Sequence, residues 1–311
     1  MVTNSAVRVT DLTKSYDDRA ILDNISLTIG RGSRTIVLGP NGAGKSTLLE
    51  IIATLRTPTS GAVLVEGHDT LTHARDARRH IGLTPQSNAL DPLATAVEVL
   101  NFQAAALGLG ARTSQRRTRE LVELFGLGEH QDKRIAKLSG GTRRKVDLAV
   151  ALVGEPPLII LDEPTTGLDP LSRIEFWEEL KRLNDTESGR TLLISTQDLH
   201  EAEVLATDII VLRNGEVVAH DSPTALKRRI GDRTLMLYLT DAAAAQGIVA
   251  NSSVGFRIEC DEPSTVRLAL PTDPAALKAA LNEIGEAAGA VEEIRLTEPS
   301  LDDVFVALAA S

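Results

Sequence analysis

The stretch Gly39-Pro-Asn-Gly-Ala-Gly-Lys-Ser46 decides how the rest of this sequence is interpreted. It follows the apolar run Arg34-Thr-Ile-Val-Leu38 and precedes a helical pattern, so it connects a predicted buried strand to a helix. Glycines at this spacing let backbone N–H groups converge on phosphate oxygens, and the helix N-terminus adds a favourable dipole. Lys45 then reaches the outer phosphates, and Ser46 offers its hydroxyl to Mg²⁺. The stretch therefore predicts a site for nucleotide phosphates and Mg²⁺.

The composition indicates one large or two moderate soluble domains, because 42% of the 311 residues are hydrophobic and 24% are charged. No apolar run approaches the roughly 18 residues that span a bilayer, and the N-terminus lacks a signal-peptide pattern. A membrane role is thus expected to depend on a partner. The single cysteine, Cys260, excludes an intramolecular disulfide and favours the reducing cytosol. The net charge of −10 argues against a nucleic-acid partner.

Apolar periodicity divides the chain into regions of different character. Up to about residue 225, short apolar runs such as Leu158-Ile-Ile-Leu161 and Thr191-Leu-Leu-Ile194 alternate with helical stretches, which predicts an α/β fold with a mostly parallel, covered sheet. Within this region, residues 87–155 carry helical periodicity and are predicted to form a helical subdomain. Residues 226–311 show strand-like alternation, then a helix over about 274–288, a strand and a final helix. They predict a small α+β domain at the C-terminus.

Two further motifs bear charge or glycine at the ends of predicted elements. Asp162 and Glu163 end a buried strand, where Asp162 is suited to hold hydrated Mg²⁺ and Glu163 to orient or deprotonate the attacking water. Leu138-Ser-Gly-Gly-Thr142 precedes a helical stretch from Arg143 to Leu152, so it predicts a second anion-binding helix N-terminus. One nucleotide needs only one main phosphate-binding site, so the second predicted anion-binding site requires an explanation.

Gln197 follows the strand that ends in Ser195-Thr196, at the carboxyl edge where open α/β sheets bind their ligands. Asp198 and Glu201 have the spacing of a helix cap and therefore have a predicted structural role. Gln197 stands between strand and cap without such a role, which makes it a candidate for contact with the ligand.

These motifs, in this order, resemble those of ATP-binding-cassette (ABC) ATPases, and the resemblance covers residues 1 to about 225. It implies a RecA-like core, an antiparallel β subdomain and a helical subdomain, with ATP and Mg²⁺ as cofactors. It makes Glu163, Lys45, Gln197 and Gln86 catalytic, and Ser46, Gln86 and Asp162 metal-binding. It assigns nucleotide contacts to Tyr16, as the adenine-stacking aromatic, and to Gly39, Pro40, Asn41, Gly42, Ala43, Gly44, Lys45, Ser46 and Thr47.

The resemblance also explains the second predicted anion-binding site. In this family two subunits close head to tail on two ATP molecules, and the signature of one subunit grips the γ-phosphate held by the other. The implied signature residues are Leu138, Ser139, Gly140, Gly141 and Thr142, and Asp169 lies in the implied loop between subunits. Because the chain carries a single set of motifs, it is expected to form a homodimer or a heterodimer with a similar chain.

The signature helix and the C-terminal stretch Leu296-Thr-Glu-Pro-Ser-Leu-Asp-Asp-Val-Phe305 are similar to those of daunorubicin-resistance-type exporter ATPases. These work beneath separate integral-membrane permease subunits, which implies a cytoplasmic protein bound peripherally to the cytoplasmic face of the membrane. The segment Ser87 to Gln103 is then expected to face the permease. Leu93 and Phe102 are candidates for this contact, although apolar residues here also suit a core.

Gln197 departs from the family pattern, which usually has a histidine at this position. A glutamine donates a neutral hydrogen bond but cannot relay a proton near neutral pH, so slow hydrolysis is expected. The alternatives are a chain that binds ATP and changes shape without hydrolysing it, or a chain in which His200 replaces the missing histidine. At the level of function, the alternatives are a regulatory subunit paired with an active homologue and a soluble cassette protein acting on ribosomes or DNA. Tyr16 and Gln86 also fit ordinary strand and loop positions.

Overall fold

A six-stranded sheet carries the candidate site in a computed structural model of the protein. The sheet order is β10-β9-β3-β8-β7-β6, and every pairing is parallel except that of β10 with β9. Its strands are β3 (Arg34–Leu38), β6 (Ile81–Thr84), β7 (Leu158–Asp162), β8 (Thr191–Thr196), β9 (Asp208–Arg213) and β10 (Glu216–Asp221). The predicted α/β fold and its three strand candidates are confirmed.

The structure describes residues 5–17, 19–86, 90–185, 189–230, 233–240, 257–262, 264–270, 277–278, 281–282, 291–297 and 299–310. The chain divides into two units, Met1–Ser222 and Pro223–Ser311. No helix within these described ranges is long and apolar enough to cross a membrane.

The central strands β7 and β8 are buried along their whole length because helices cover the parallel sheet. Helix α1 (Lys45–Ile52) packs on β7 and β8, and helix α7 (Leu199–Leu205) packs on β3 and β8. Helix α6 (Pro170–Asn184) packs in turn against α7. The carboxyl ends of β3, β6, β7 and β8 thus open at one edge, and the polar residues that follow them meet there.

An antiparallel sheet of order β2-β1-β4-β5 forms the β subdomain. Its long strands β1 (Ser5–Tyr16) and β2 (Arg19–Gly30) form a hairpin, and β4 (Ser60–Val65) pairs with β1 while β5 (His68–Asp69) pairs with β4. Apolar residues of β1, β2 and β4 share one core with the buried face of α1. The core therefore fixes the phosphate-binding helix against both sheets. The short helix α2 (Ala74–Arg78) follows β5.

The helical subdomain contains α3 (Ala96–Ala106), α4 (Ala111–Leu124), two 3₁₀ turns and α5 (Gly140–Ala151). A capping box between Thr95 and Glu98 starts α3. Helix α5 begins at Gly140, three residues before the predicted start, because the Ser139 hydroxyl accepts a hydrogen bond from Thr142 N–H at 3.2 Å.

The C-terminal unit contains an antiparallel sheet of order β12-β13-β11-β14, and its helices α8 (Pro223–Ile230) and α9 (Leu301–Ala310) pack on each other. The strands are β11 (Arg233–Leu239), β12 (Arg257–Glu262), β13 (Thr265–Leu270) and β14 (Val291–Thr297). The sheet and the final helix agree with the predicted α+β domain. Most of the helix predicted over 274–288 and the side chain of Cys260 lie outside the described residues.

Candidate nucleotide-binding and hydrolysis site

The predicted phosphate loop runs from Gly39 to Gly44 between β3 and α1, with Lys45 as the first helical residue. Gly44, the residue before the helix, has φ of 103°, and a Cβ there would lie 2.7 Å from Leu22 Cδ2. A Cβ on Gly39 would lie 2.3 Å from the carbonyl oxygen of Leu212. Other residue types are therefore excluded at these two positions by backbone conformation and by close packing. The loop turns tightly enough to present the N-terminus of α1 to an anion.

The side chain of Lys45 is directed back over the loop rather than into solvent. Its ammonium group donates to the carbonyl oxygens of Gly39 at 2.8 Å and Pro40 at 3.1 Å. The residue is only 5% exposed. A buried cation at this position attracts the outer phosphates of a nucleotide bound in the loop. Pro40 and Asn41 are exposed, whereas Ala43 is buried in the core beneath the loop; Ser46 and Thr47 are half-buried on α1.

The candidate magnesium ligands come together at the end of β7. Ser46 Oγ donates to Asp162 Oδ1 at 3.2 Å, and the Ser195 hydroxyl donates to the same carboxylate oxygen in a very short hydrogen bond. Asp162 and Ser46 offer oxygen ligands, which suits Mg²⁺, and the Gln86 side chain, which is bonded to the adjacent Glu163, carries a further amide oxygen. Mg²⁺ bound by these groups would neutralise charge on the phosphates of ATP.

Glu163 has its carboxylate at the centre of a network of hydrogen bonds. Oε2 accepts from Gln86 Nε2 at 2.9 Å and from Thr166 Oγ1 at 3.3 Å, and Oε1 lies 3.7 Å from Lys45 Nζ. These contacts orient the carboxylate toward the same edge as the phosphate loop. A carboxylate held in this way can position a water molecule or accept its proton.

The backbone of Glu163 adopts the left-handed conformation, with φ of 46°. Its N–H donates to both the carbonyl oxygen of Ser195, at 3.2 Å, and the Ser195 hydroxyl, at 3.0 Å. Such backbone strain costs about 1–3 kcal/mol and concentrates at functional sites. The neighbouring strand β8 thus holds the catalytic candidate in a conformation that it would otherwise avoid.

Gln197 follows β8, the strand between the phosphate-loop strand β3 and the carboxylate strand β7. Its side chain is exposed and has no hydrogen-bond partner among the described residues. The fold therefore puts Gln197 at the edge where the loop and Glu163 meet.

His200 lies farther along α7, and its ring packs edge to face on Trp177, with the ring centroids 5.4 Å apart. Because its ring contacts α6, the geometry gives no support to His200 as a replacement for the missing histidine.

The predicted helix cap is correct for Asp198 and wrong for Glu201. Asp198 Oδ1 accepts from the backbone N–H of His200 at 2.9 Å and of Glu201 at 3.2 Å. The Glu201 carboxylate is instead fully buried, and its Oε1 accepts from Thr165 Oγ1 at 2.8 Å and Trp177 Nε1 at 2.9 Å. Burial of the first turn of α7 against α6 overrides the local capping pattern. Glu201 joins the segment after Glu163 to the helix after Gln197.

The signature residues form the start of α5, away from the phosphate loop. Ser139 and Gly140 are exposed, whereas Leu138 and Gly141 are buried; the Ser139 hydroxyl lies 2.8 Å from the Thr142 hydroxyl. Helix α5 packs on β6, α3 and α6, while α1 packs on β2, β4, β7 and β8. The two helix N-termini therefore have different neighbours and form separate candidate anion sites.

Asp169 has a local structural role in addition to its predicted one. It caps α6, because its carboxylate accepts from Ser172 N–H at 3.0 Å and Ser172 Oγ at 2.6 Å. The hydrogen bond from the Ser172 hydroxyl lowers the pKa of the Asp169 carboxyl most, and the one from the Ser172 backbone N–H lowers it further. The residue is exposed, so it is accessible to a second subunit.

Tyr16 ends β1 and is 41% exposed. Lys14 Nζ lies 4.8 Å from the ring centroid, and the Tyr16 hydroxyl accepts a very short hydrogen bond from Arg56. An exposed ring between two cations suits an aromatic partner that adjoins phosphates. The adenine contact itself stays a prediction.

The sequence analysis missed the polar residues that support the site. Ser195 holds both Asp162 and the backbone of Glu163, Thr166 contacts Glu163, and Arg144 on α5 bonds to the backbone around Gln86. The polar end of β8, Ser195-Thr196, was a usable signal for Ser195, because residues at the carboxyl edge face their neighbours across the sheet. No local pattern indicates the role of Arg144.

A glycine-rich phosphate loop before α1, a strand that ends in Asp162 and Glu163, and a separate signature at the start of α5 define an ATP-binding-cassette ATPase. The ABC transporter family matches residues 22–166. The chain belongs to this family as an ATP-hydrolysing, ATP-binding subunit, a class that dimerises and works with membrane permeases.

The relatives that support this assignment match almost the whole chain. The daunorubicin resistance ATP-binding protein DrrA2 of Streptomyces coeruleorubidus is 37% identical over 309 residues, 97% of this chain and 94% of the relative. The Nod factor export ATP-binding protein I of Ralstonia nicotianae is 34% identical over 302 residues, 96% and 92% of the two chains.

A solved structure supports the fold of the first unit. A dimeric ATP-binding cassette in a post-hydrolysis state, bound to ADP and Pi, superposes with a TM-score of 0.63 at 31% identity. The match covers 70% of this chain and 98% of the other. The predicted class of ATPase and its fold are thereby confirmed.

Proposed function

We propose that this chain energises an exporter of drug, antibiotic or lipid-like cargo through a separate integral-membrane permease. The similarity over nearly the full length to drug-resistance and Nod factor export proteins supports an export role. The observation that carries the proposed chemistry is the buried carboxylate of Glu163, 2.9 Å from Gln86 Nε2 and 3.7 Å from Lys45 Nζ. This geometry joins a candidate base to the phosphate loop.

The residues of the site bind the nucleotide, the metal ion and the attacking water. The loop from Gly39 to Thr47 holds the phosphates, Tyr16 stacks on adenine, and Ser46, Asp162 and Gln86 hold Mg²⁺. Glu163 orients the attacking water and takes its proton.

Gln197 takes part in the same chemistry as a neutral donor to the γ-phosphate. Loss of a preorganised donor costs about 10²–10³ in rate, and a neutral donor in its place costs no more than that. Turnover is therefore slow but real. The amide of Gln197 is exposed at the shared sheet edge and has no hydrogen-bond partner in the described part of the chain, which supports this task.

Two surfaces of the chain serve its partners. The exposed signature residues Ser139 and Gly140 complete the ATP site of a second subunit, and homodimers and heterodimers both fit this arrangement.

The permease contact lies on the helical subdomain, where Leu93 is 69% and Phe102 is 75% exposed and neither belongs to the core. Both residues lie in the segment that is expected to face the permease, and their exposure leaves them accessible to it. Binding there keeps the chain on the cytoplasmic face of the membrane.

The catalytic proposal is tested by steady-state phosphate release with ATP binding measured in parallel. We expect turnover in the wild type, a faster rate in Gln197→His and none in Glu163→Gln, with ATP bound by all three. His200→Ala is the matched control, and it should leave the rate unchanged because its ring packs on Trp177. If the wild type and Gln197→His bind ATP without turnover, the chain is instead a regulatory subunit.

The permease contact is tested by co-expression and co-purification with a candidate integral-membrane permease subunit. A Leu93→Ser/Phe102→Ser variant should lose the permease and keep its ATP binding. Leu55→Ser removes an equally exposed apolar residue, at 64%, that follows α1, and it should retain the permease. Retention of the permease by the double variant would contradict this surface, and co-purification with ribosomes or DNA in place of a permease would favour a soluble cassette function.

A further inference from the structure

Arg144 on α5 connects the helical subdomain to the backbone beside the catalytic site. Its guanidinium donates from Nη1 to the carbonyl oxygen of Pro85 at 3.3 Å and from Nη2 to that of Gln86 at 3.1 Å. The residue is 7% exposed, so these contacts are made away from bulk water. A planar guanidinium fork can bond two consecutive carbonyls at once, which the single ammonium of a lysine does less well.

Asp147, one turn along the same helix, compensates the buried charge of Arg144. Its Oδ2 lies 3.7 Å from Arg144 Nη1, and the residue is 5% exposed. Burial raises the pKa of Asp147 to about 6, against the opposing attraction of Arg144 and Arg143. The two arginines thus favour the charged form of the carboxylate, whereas burial disfavours it. Because the two groups are too far apart for a short hydrogen bond, the Arg144 N–H groups are left for the backbone carbonyls.

The segment held by Arg144 contains the side chain that touches the catalytic carboxylate. Gln86 follows β6, and its Nε2 donates to Glu163 Oε2 at 2.9 Å. The backbone of Gln86 is thus bonded to α5 while its side chain is bonded to the end of β7. Helix α5 begins at Gly140, in the signature, little more than one turn before Arg144.

We propose that Arg144 is a positioning residue, which holds the backbone at Gln86 so that the Gln86 amide stays on Glu163. Through Arg144, the helix that begins with the signature is tied to the catalytic carboxylate of its own chain. A shift of α5 when a second subunit closes on Ser139 then moves Gln86 relative to Glu163. This inference rests on the proposed function, because it takes Gln86 and Glu163 to act in hydrolysis.

The catalytic part is tested by a double-mutant cycle in the full-length chain. Arg144→Lys keeps the buried charge but loses the two-carbonyl fork, and misplacement of a catalytic group lowers rates by roughly 10-fold to 100-fold. We expect such a fall in kcat with the KM for ATP within about twofold of wild type, because the phosphate loop is untouched. In a Gln86→Ala background the same substitution should have no further effect, since the two residues act as one unit.

Two further variants separate positioning from folding. Lys145→Gln lies on the same helix and loses an exposed ion pair with Glu175, so kcat should stay at the wild-type value. The double variant Arg144→Met/Asp147→Met removes the ion pair without leaving a buried charge unpaired, so the chain should fold. Its kcat should fall as in Arg144→Lys, while thermal unfolding remains a single cooperative transition.

A second measurement, made without nucleotide, reports on the contact between Arg144 and the backbone at Gln86. Hydrogen-exchange mass spectrometry of the Arg144→Lys chain should show faster deuterium uptake over residues 81–86 than in wild type and Lys145→Gln. Unchanged uptake would overturn the positioning contact itself. If the fold-decreases in kcat of Gln86→Ala and Arg144→Lys multiply in the double variant, the two residues act independently. That result would overturn the proposal that Arg144 acts through Gln86. A wild-type kcat in Gln86→Ala would overturn the proposed role of Gln86 in hydrolysis, and with it the catalytic role of Arg144. The hydrogen-exchange result would then still show whether Arg144 holds the backbone at Gln86.

Discussion

The ammonium nitrogen of Lys45 lies 3.7 Å from Oε1 of Glu163, and both side chains are less than a tenth exposed. The cation that is expected to hold phosphate and the carboxylate that is expected to activate water are therefore neighbours in a dry site. Weak solvent screening strengthens the electrostatic interactions of both groups with ATP.

Lys45→Met should weaken ATP binding, because it removes the buried cation nearest to the outer phosphates. A hydrogen bond to a charged group is worth about 1.5–3 kcal/mol, so we expect the Kd for ATP to rise roughly 10-fold to 100-fold. Isothermal titration calorimetry measures this change. Lys181→Met, which loses only the exposed pair with Glu178, is the control. Equal affinities of the wild type and Lys45→Met would refute the phosphate role of Lys45.

Tyr16→Ala should weaken binding of ATP, while Tyr16→Phe should retain it. The stacking surface of the ring is lost in the first variant and kept in the second, which loses only the hydroxyl contact with Arg56. Base stacking on an aromatic ring is worth about 1–3 kcal/mol, which corresponds to a rise in Kd of roughly 5-fold to 150-fold. Fluorescence titration with a labelled ATP analogue measures it. If both variants bind as tightly as wild type, Tyr16 is an ordinary strand aromatic.

Ser139→Asp should abolish ATP-dependent dimerisation without destabilising the chain. Aspartate is as good an N-cap as serine, so α5 should be retained, whereas its charge repels a γ-phosphate brought by a second subunit. The measurement is light scattering with ATP in a Glu163→Gln background, which retains the nucleotide.

The control for this experiment is Thr113→Asp, which introduces the same charge at an exposed position of α4, outside the signature. It should dimerise like the parent chain if it folds to the same thermal midpoint. A Ser139→Asp chain that still dimerises with ATP would show that the signature does not contact the nucleotide of the partner.

Glu201→Ala should destabilise the first unit by about 2–4 kcal/mol. The substitution leaves two buried donors, Thr165 Oγ1 and Trp177 Nε1, without their acceptor. Glu201→Gln keeps an acceptor oxygen and should cost less. Trp177 is the single tryptophan, so its fluorescence during urea unfolding reports this unit. Glu178→Ala, on the exposed side of α6, is the control, and a Glu201→Ala loss no larger than that of the control would contradict the buried role.

Stability of the first unit should fall as the pH rises through neutrality, because of His220. Its Nε2 lies 2.8 Å from Asp208 Oδ2, and this hydrogen bond raises the pKa of His220 above its ordinary value of 6.5, against partial burial. The folded protein thus binds the proton more tightly than the unfolded chain does. The stabilisation is complete below about pH 6.5 and is lost as the pH rises through the folded pKa.

The pH dependence is measured as the free energy of unfolding from urea titrations between about pH 6 and pH 8.5. His220→Gln should remove the downward slope that His220 contributes in this range. Its stability should match or exceed that of wild type at the alkaline end and fall below it at the acid end. Parallel stability curves for the two proteins would show that the pair with Asp208 has no such effect.

Much of the candidate site followed from sequence because its residues stand at ends of strongly apolar strands. The loop from Gly39, the pair Asp162 and Glu163, and Gln197 all follow runs that are buried in the sheet. Parallel strands bring such ends to one edge whatever the intervening sequence. Glu201 shows the limit of this reasoning, because its spacing fits a capping box and its burial against Trp177 decides otherwise.

The sequence alone determined the phosphate loop, the paired carboxylates, the signature and the order of strands and helices, because glycine spacing and apolar periodicity are local properties. Only the tertiary structure decided that Leu93 and Phe102 are exposed, that Glu163 is strained, and that Arg144 holds Gln86. Arg144 and Gln86 are 58 positions apart in the chain, and Gln86 and Glu163 are 77 apart. A polar side chain takes whichever buried partner the packing brings within reach, and packing depends on the whole fold rather than on neighbours in sequence.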